Sequence, residues 1–334
     1  MDWRGAFVLA MGLAMFAGEA RADAMLKDFP YPHPVREFVF TSQGQPLTMA
    51  YMDIAPAGTP NGKTAVLFHG KNFCGATWEG VIAPLATAGY RVVVPDQIGF
   101  CRSTKPAAYQ MSLHQLGANT HALLDSISVT RPILVGHSMG GMLAARYALS
   151  FPAATAALVL VNPIGLEDWS AKGVPPSTID ELIEGERKTT AESIKAYQQK
   201  TYYDGRWRPE FDRWVEMLAS MYQGPGSDNV VLSQARASDM IFSQPVVHEF
   251  PRLAVPTLLL IGEKDTTAIG KNRASPEVAK TLGNYPELAG EAESRIKGAR
   301  LIAFPKLGHA PHIEEPEAFN AALLDALTSL PSTP

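Results

Sequence analysis

Gly136-His137-Ser138-Met139-Gly140, followed by Gly141, sets a serine among glycines where the apolar run 133–135 gives way to a helix-patterned stretch through Leu143, Ala144 and Tyr147. So tight a strand-to-helix turn lifts its central side chain clear of the sheet, at the positive end of the new helix. Flanking glycines relieve the crowding, and Ser138 is therefore read as a nucleophile. A serine hydroxyl attacks poorly at neutral pH unless a base stands within hydrogen-bond reach. Eight histidines compete for that role. His309, in Gly308-His309-Ala310-Pro311-His312 just after the run 301–304, holds the position where such a sheet presents catalytic groups. His312 is its nearest rival. His33 lies among prolines, and His114 and His121 read as surface or packing residues. His248 sits where the strand-poor segment described below ends.

An imidazole base needs an acid to fix its tautomer and stabilise its charged form. Asp265, in Gly262-Glu263-Lys264-Asp265 after the run 257–261, supplies it, with Glu167 or Asp168 as fallback. The order Ser138, Asp265, His309 is nucleophile, acid, base. Acyl transfer also needs donors for a developing oxyanion. His69-Gly70-Lys71-Asn72-Phe73 follows the run 65–68, and the backbone amides of Lys71 and Met139 are the candidates. The Lys71 side chain itself reads as solvent-facing. His69, Asn72 and His137 are read as lining the substrate pocket.

These residues need a scaffold, and its elements are legible. Residues 35–40 and 47–54 form an opening antiparallel hairpin across Ser-Gln-Gly-Gln-Pro. Apolar runs at 65–68, 91–94, 133–135, 157–161, 257–261 and 301–304 suit parallel strands buried on both faces. Ser112-Leu113-His114-Gln115 reads as a capping box opening a helix with Leu113, Leu116, Leu123, Leu124 and Ile127 on one face. Pro316 starts another, with Phe319, Leu323 and Leu327 four apart. The alternation predicts an α/β fold with a doubly wound, mostly parallel sheet. Between Val161 and Thr257 no strand is visible, and the stretch carries Trp169, Tyr197, Tyr202, Tyr203, Trp207, Phe211, Trp214 and Tyr222. So long a structureless loop is implausible, so an inserted helical cap is expected. The expected organisation is a signal peptide over 1–22, core over 23–165, cap over 166–251 and core again over 252–334.

The leader expectation rests on the apolar run 6–18 after Arg4 and on Ala20-Arg21-Ala22, a small-x-small cleavage site that leaves Asp23 first. Export to the periplasm or medium follows, with no stable membrane span after cleavage. An oxidising compartment would permit a Cys74–Cys101 bridge, but two unpaired, partly buried thiols are the slightly favoured reading.

Composition narrows the classes. With 334 residues and 46% hydrophobic content, the chain can bury a full core, which excludes a disordered or stapled mini-protein. Two cysteines are too few for a disulfide scaffold or a thiolate zinc cage. A net charge of −4 gives no electrostatic reason to expect nucleic acid.

Together these motifs resemble the α/β-hydrolase superfamily, in its capped serine-hydrolase branch. The His69-Gly70 loop, Asp96-Gln97-Ile98-Gly99, the Ser138 turn, the Gly262–Asp265 loop and the Gly308–Pro311 loop fall in family order. The resemblance implies an eight-stranded, mostly parallel sheet with a helical cap between the sixth and seventh strands. There are departures. Phe100-Cys101-Arg102-Ser103 replaces the usual continuation after Gly99, and His69-Gly70-Lys71-Asn72 lacks the glycine- and proline-rich loop of proline iminopeptidases. A serine nucleophile argues against the haloalkane dehalogenase and epoxide hydrolase relatives, which use aspartate there. The long Asp265–His309 spacing predicts a surface excursion over 268–298.

The expected activity is cleavage of a small-molecule carboxylic ester through an acyl-enzyme, without metal or organic cofactor. The cap aromatics suggest an apolar or aromatic substrate portion. Carbon–carbon hydrolysis, amidase or aminopeptidase, lactonase and perhydrolase activities could use the same three residues. A ligand-binding protein on a hydrolase scaffold, or an adhesive or structural role, is the non-enzymatic alternative. Oligomeric state is left open.

Overall fold

Eight strands form one sheet in the order β1-β2-β4-β3-β5-β6-β7-β8 in a computed structural model that describes residues 23–330. The expected leader, 1–22, lies outside the described residues. The strands are β1 (Val35–Ser42), β2 (Gln45–Ile54), β3 (Thr64–Phe68), β4 (Arg91–Pro95), β5 (Ile133–His137), β6 (Ala157–Val161), β7 (Thr257–Gly262) and β8 (Arg300–Phe304). β1 and β2 pair antiparallel, as do β2 and β4, and every pair from β4 through β8 is parallel. Alternation along each inner strand explains why the runs look uniformly apolar. In β5, Leu134 enters one core while Ile133 and Val135 enter the other. In β7, Leu259 and Ile261 face the first core, and Leu258 and Leu260 the second.

Helices cover both faces. In chain order they are α1 (Glu79–Thr87), α2 (Leu113–Ser126), α3 (Met139–Ser150), α4 (Ile179–Arg187), α5 (Ala191–Thr201), α6 (Asp212–Met221), α7 (Ser227–Ser243), α8 (Pro276–Thr281), α9 (Tyr285–Arg295), α10 (Pro311–Glu314) and α11 (Pro316–Thr328). Phe319, Leu323 and Leu327 of α11 are fully buried. At α2 only half of the anticipated capping box forms. Ser112 Oγ accepts from Gln115 N at 3.0 Å, but the Gln115 amide reaches forward to Asn119 rather than back. Complete boxes open α4, at Thr178 with Glu181, and α5, at Thr190 with Ser193. Helices α4 to α7 fill the strand-poor interval between β6 and β7, and α8 and α9 form the excursion before β8. Among the described residues no helix is long and apolar enough to cross a membrane.

The favoured reading of the cysteines is corrected, because Cys74 and Cys101 are joined in a disulfide. β3 and β4 are parallel neighbours, so the loops that leave them emerge at the same edge and bring the sulfurs together. Cys74, Cys101 and Asp96 also form a cluster of metal-ligand types. Its sulfurs are consumed by the bridge, and Asp96 accepts from Tyr31 Oη, Gly75 N and Arg102 N. Closing a loop of 27 residues removes chain entropy worth about 3.5 kcal/mol from the unfolded state. A Cys74→Ala/Cys101→Ala variant is expected to lose about that much stability. Urea unfolding of both proteins checks it, and equal midpoints would contradict it.

Candidate active site

Ser138 closes β5 and opens α3 with φ 56° and ψ −122°, a strained conformation for a residue with a side chain. Its amide donates to Val161 O at 3.2 Å, and its carbonyl accepts from Gly141 N at 2.9 Å, so the surroundings hold the strain in place. The hydroxyl lies 2.9 Å from His309 Nε2. On the far side of that ring, Nδ1 lies 2.5 Å from Asp265 Oδ2, and neither the imidazole nor the carboxylate is exposed. The structure thus joins the three sequence-derived candidates in one chain of two hydrogen bonds.

Each member is anchored separately. Asp265 Oδ1 accepts from Thr267 N at 2.8 Å, and Oδ2 also accepts from Asn162 Nδ2 at 3.0 Å. Asn162, just past β6, also exchanges hydrogen bonds with both backbone groups of Gly262, tying two strand ends to the carboxylate. The sequence reading missed this residue, whose only signal is an amide side chain at a strand end. The His309 amide donates to Tyr202 O, and its carbonyl accepts from His137 Nε2, both at 2.8 Å. The Tyr202 ring lies 4.4 Å from the His309 ring.

Two residues expected in the pocket are placed otherwise. His137 is buried behind the His309 loop, where it braces that loop instead of facing substrate. His69 is buried too. Its Nε2 accepts from Gln97 N at 3.0 Å, which leaves Nδ1 to donate to Gly70 O at 2.8 Å and fixes a neutral tautomer. Asn72 does border a cavity and donates to Tyr202 Oη at 3.0 Å. The Lys71 side chain is not solvent-facing: Nζ lies 2.7 Å from Glu186 Oε1 at the end of α4. The rival base His312 stacks on Trp78 at 4.5 Å and makes no hydrogen bond among the described residues. The fallback acids are engaged elsewhere, Glu167 with Trp169 and Lys172, Asp168 with His248.

Backbone amides complete the site. Met139 opens α3, so its amide is among those a first helical turn leaves without a helical partner. Gly70 lies against the nucleophile: a Cβ there would stand 2.9 Å from Ser138 Cβ. A turn closed by Phe73 N donating to Gly70 O at 3.1 Å sets Lys71 directly beyond it. Such an arrangement can deprotonate the serine, hold an imidazolium against a carboxylate and meet negative charge with amides.

Burial holds His312 and His137 neutral. It pushes His312 down to about 3, with the neighbouring His309 adding to the effect. It also holds His137 well below the usual imidazole range, His312 and His309 contributing. The unfolded chain takes up these protons near pH 6.5 while the native state refuses them, so stability falls as pH drops below that point. His312 alone accounts for about 2 kcal/mol between pH 6.5 and 4.5. Denaturation midpoints across that range should show a smaller loss in His312→Phe, which keeps the ring on Trp78, and equal slopes would contradict this account.

A twisted, mostly parallel sheet with a strained serine at the end of a central strand defines the hydrolase class of α/β protein. The chain belongs to the α/β-hydrolase fold family, whose model matches residues 64–316. It is 57% identical to a "probable hydrolytic enzyme" of Pseudomonas aeruginosa of known structure, covering 92% of this chain and 98% of that one with a TM-score of 0.90. It is 26% identical to the 2-hydroxy-6-oxo-6-phenylhexa-2,4-dienoate hydrolase of Burkholderia cepacia, over 80% of this chain and 88% of that protein. Identity to the pimeloyl-[acyl-carrier protein] methyl ester esterase of Aeromonas hydrophila is also 26%, over 77% of this chain and 92% of that protein.

Proposed function

We propose that this hydrolase is an exported serine esterase that works through an acyl-enzyme. The observation that carries the reading is the hydrogen-bonded chain Ser138 Oγ–His309–Asp265. His309 Nε2 takes the hydroxyl proton as Ser138 attacks the ester carbonyl. Asp265 stabilises the resulting imidazolium, while the Lys71 and Met139 amides receive the oxyanion. The imidazolium then protonates the departing alkoxide. Water, deprotonated by the same imidazole, adds to the acyl-serine, and the second collapse releases acid and free Ser138. A carboxylic ester asks least of this machinery, because an alkoxide leaves more readily than an amide anion or a carbanion, and the esterase among the relatives is in keeping with it. Export is supported by the apolar run 6–18 with Ala20-Arg21-Ala22 and by the Cys74–Cys101 bridge, a feature of oxidising compartments.

Intact mass after exposure to a fluorophosphonate tests both parts. The wild type is expected to gain one adduct, absent from Ser138→Ala and His309→Ala, on a chain whose mass begins at Asp23. A folded wild type that gains no adduct would overturn the nucleophile assignment. A full-length exported chain would overturn cleavage.

A further inference from the structure

The esterase reading leaves open what the ester carries, and a cavity of about 190 Å³ beside the oxyanion loop addresses it. Lys71 and Asn72 form one wall. Both follow Gly70, which packs on Ser138, and Asn72 bonds the hydroxyl of Tyr202, whose ring covers His309. The cavity is therefore one residue away from both nucleophile and base. Across it stand Glu186, Thr189, Ser193 and Tyr197 from the segment between β6 and β7, with Ile194 and Leu218 the apolar members of the lining.

Two facts limit what fits. The charges cancel: Glu186 Oε1 holds Lys71 Nζ at 2.7 Å, and Oε2 accepts from Tyr222 Oη at 2.5 Å. Both charged side chains are mostly withdrawn from water, 17% and 14% exposed, so a charged guest would have to break a shielded pair. Of the aromatics that suggested an apolar substrate, only Tyr197 and Tyr222 line this cavity, each with a hydroxyl. Trp169, Tyr203, Phe211 and Trp214 are buried in core packing, with Tyr203 stacked on Phe211 at 4.1 Å.

We propose that the Lys71–Glu186 pair makes this cavity the subsite for an uncharged, hydrogen-bonding group of a short ester, an inference that rests on the esterase reading. Glu186 is a specificity residue here, because it neutralises the lysine that would otherwise attract a carboxylate.

The test compares kcat/KM, by pH-stat, for ethyl butyrate, ethyl 3-hydroxybutyrate, 2-hydroxyethyl butyrate, ethyl octanoate and monoethyl succinate, in wild type and Glu186→Gln. In the wild type one of the two hydroxylated esters should exceed ethyl butyrate by about tenfold, a hydrogen bond's worth. The octanoate and the succinate should fall below ethyl butyrate. In Glu186→Gln, with Lys71 released, the ratio of monoethyl succinate to ethyl butyrate should rise by about tenfold or more. That ratio is taken on one preparation, so a fraction of misfolded variant cancels, and a merely structural role for Glu186 would not move it. A wild type that prefers octanoate to both hydroxylated esters, or a succinate ratio unchanged in the variant, overturns the subsite while ester hydrolysis stands. A protein that takes up fluorophosphonate yet cleaves none of the five overturns the esterase reading, and this inference with it.

Discussion

His309→Ala is expected to lower kcat by roughly a hundred-thousand-fold to a million-fold, Ser138→Ala by a similar factor, and the double variant by no more than either alone. The saturation follows from the geometry. Ser138 Oγ and His309 Nε2 share one hydrogen bond of 2.9 Å, and in the proposed reaction proton transfer along it is the step that makes the hydroxyl a nucleophile. Once one partner is gone the other has nothing to act on. Asp265→Asn should cost less, roughly ten-thousand-fold. An amide there can present its N–H to His309 Nδ1, which drives the ring into the tautomer with its proton facing Ser138. Either orientation of the amide sets donor against donor, since Asn162 N–H points at the Oδ2 position and Thr267 N–H at the Oδ1 position, so the substitution also costs a hydrogen bond. Single-turnover rates on an activated ester, with fluorophosphonate titration to count competent sites, check the series. Additive losses in the double variant would show that the two residues do not act as a unit.

How much of this site could be read in advance depends on what kind of contact carries each part. Strands β3 to β7 were legible because a strand buried on both faces has no polar side, so its run stands out against flanking polar turns, whereas β8, at the sheet's edge and partly exposed, was marked only by its short apolar run. Ser138, Asp265 and His309 were legible because each follows such a run, at the end where a parallel sheet collects its loops. Their supports were not. Asn162, Tyr202 and Glu186 act through the packing of segments distant in sequence, and nothing local in their neighbours marks them. His137 and His69 were misplaced for a related reason. Proximity to a motif suggests a pocket, whereas both rings are buried: His69 engages backbone through both nitrogens, and His137 through Nε2. The cysteines turned on whether two loops at one sheet edge meet, which depends on tertiary geometry and not on spacing. In the segment between β6 and β7, aromatic residues were visible but their direction was not. Trp169, Tyr203, Phe211 and Trp214 proved to be core, whereas Tyr202 packs on His309 and Tyr197 and Tyr222 share a cavity with Glu186, Thr189 and Ser193.

Gly136→Ala and Gly140→Ala are each expected to abolish activity and to unfold the protein or rearrange the serine turn, although each adds one methyl group. A Cβ on Gly136 would stand 2.2 Å from the Gly140 carbonyl oxygen, and one on Gly140 would stand 2.3 Å from Phe68 O. Real Cβ atoms essentially never come within 3.0 Å of such a neighbour, and here the neighbours are backbone, which cannot swing aside as a flexible side chain would. Relief would have to come from moving α3 away from β3 or from opening the turn that holds Ser138 at φ 56°. Either movement separates Ser138 Oγ from His309 Nε2, so catalysis fails even where the chain still folds. Gly185 is the matched control. It lies inside α4, a Cβ there meets nothing within 4 Å, and alanine is the better helix former. Gly185→Ala should therefore raise stability by about 0.5–1 kcal/mol. Thermal unfolding and fluorophosphonate labelling of the three variants side by side make the comparison. Folded, fully labelled Gly136→Ala and Gly140→Ala proteins would show that the turn tolerates side chains at both positions. The close packing of the serine turn against β3 would then not be what holds Ser138 in its strained conformation.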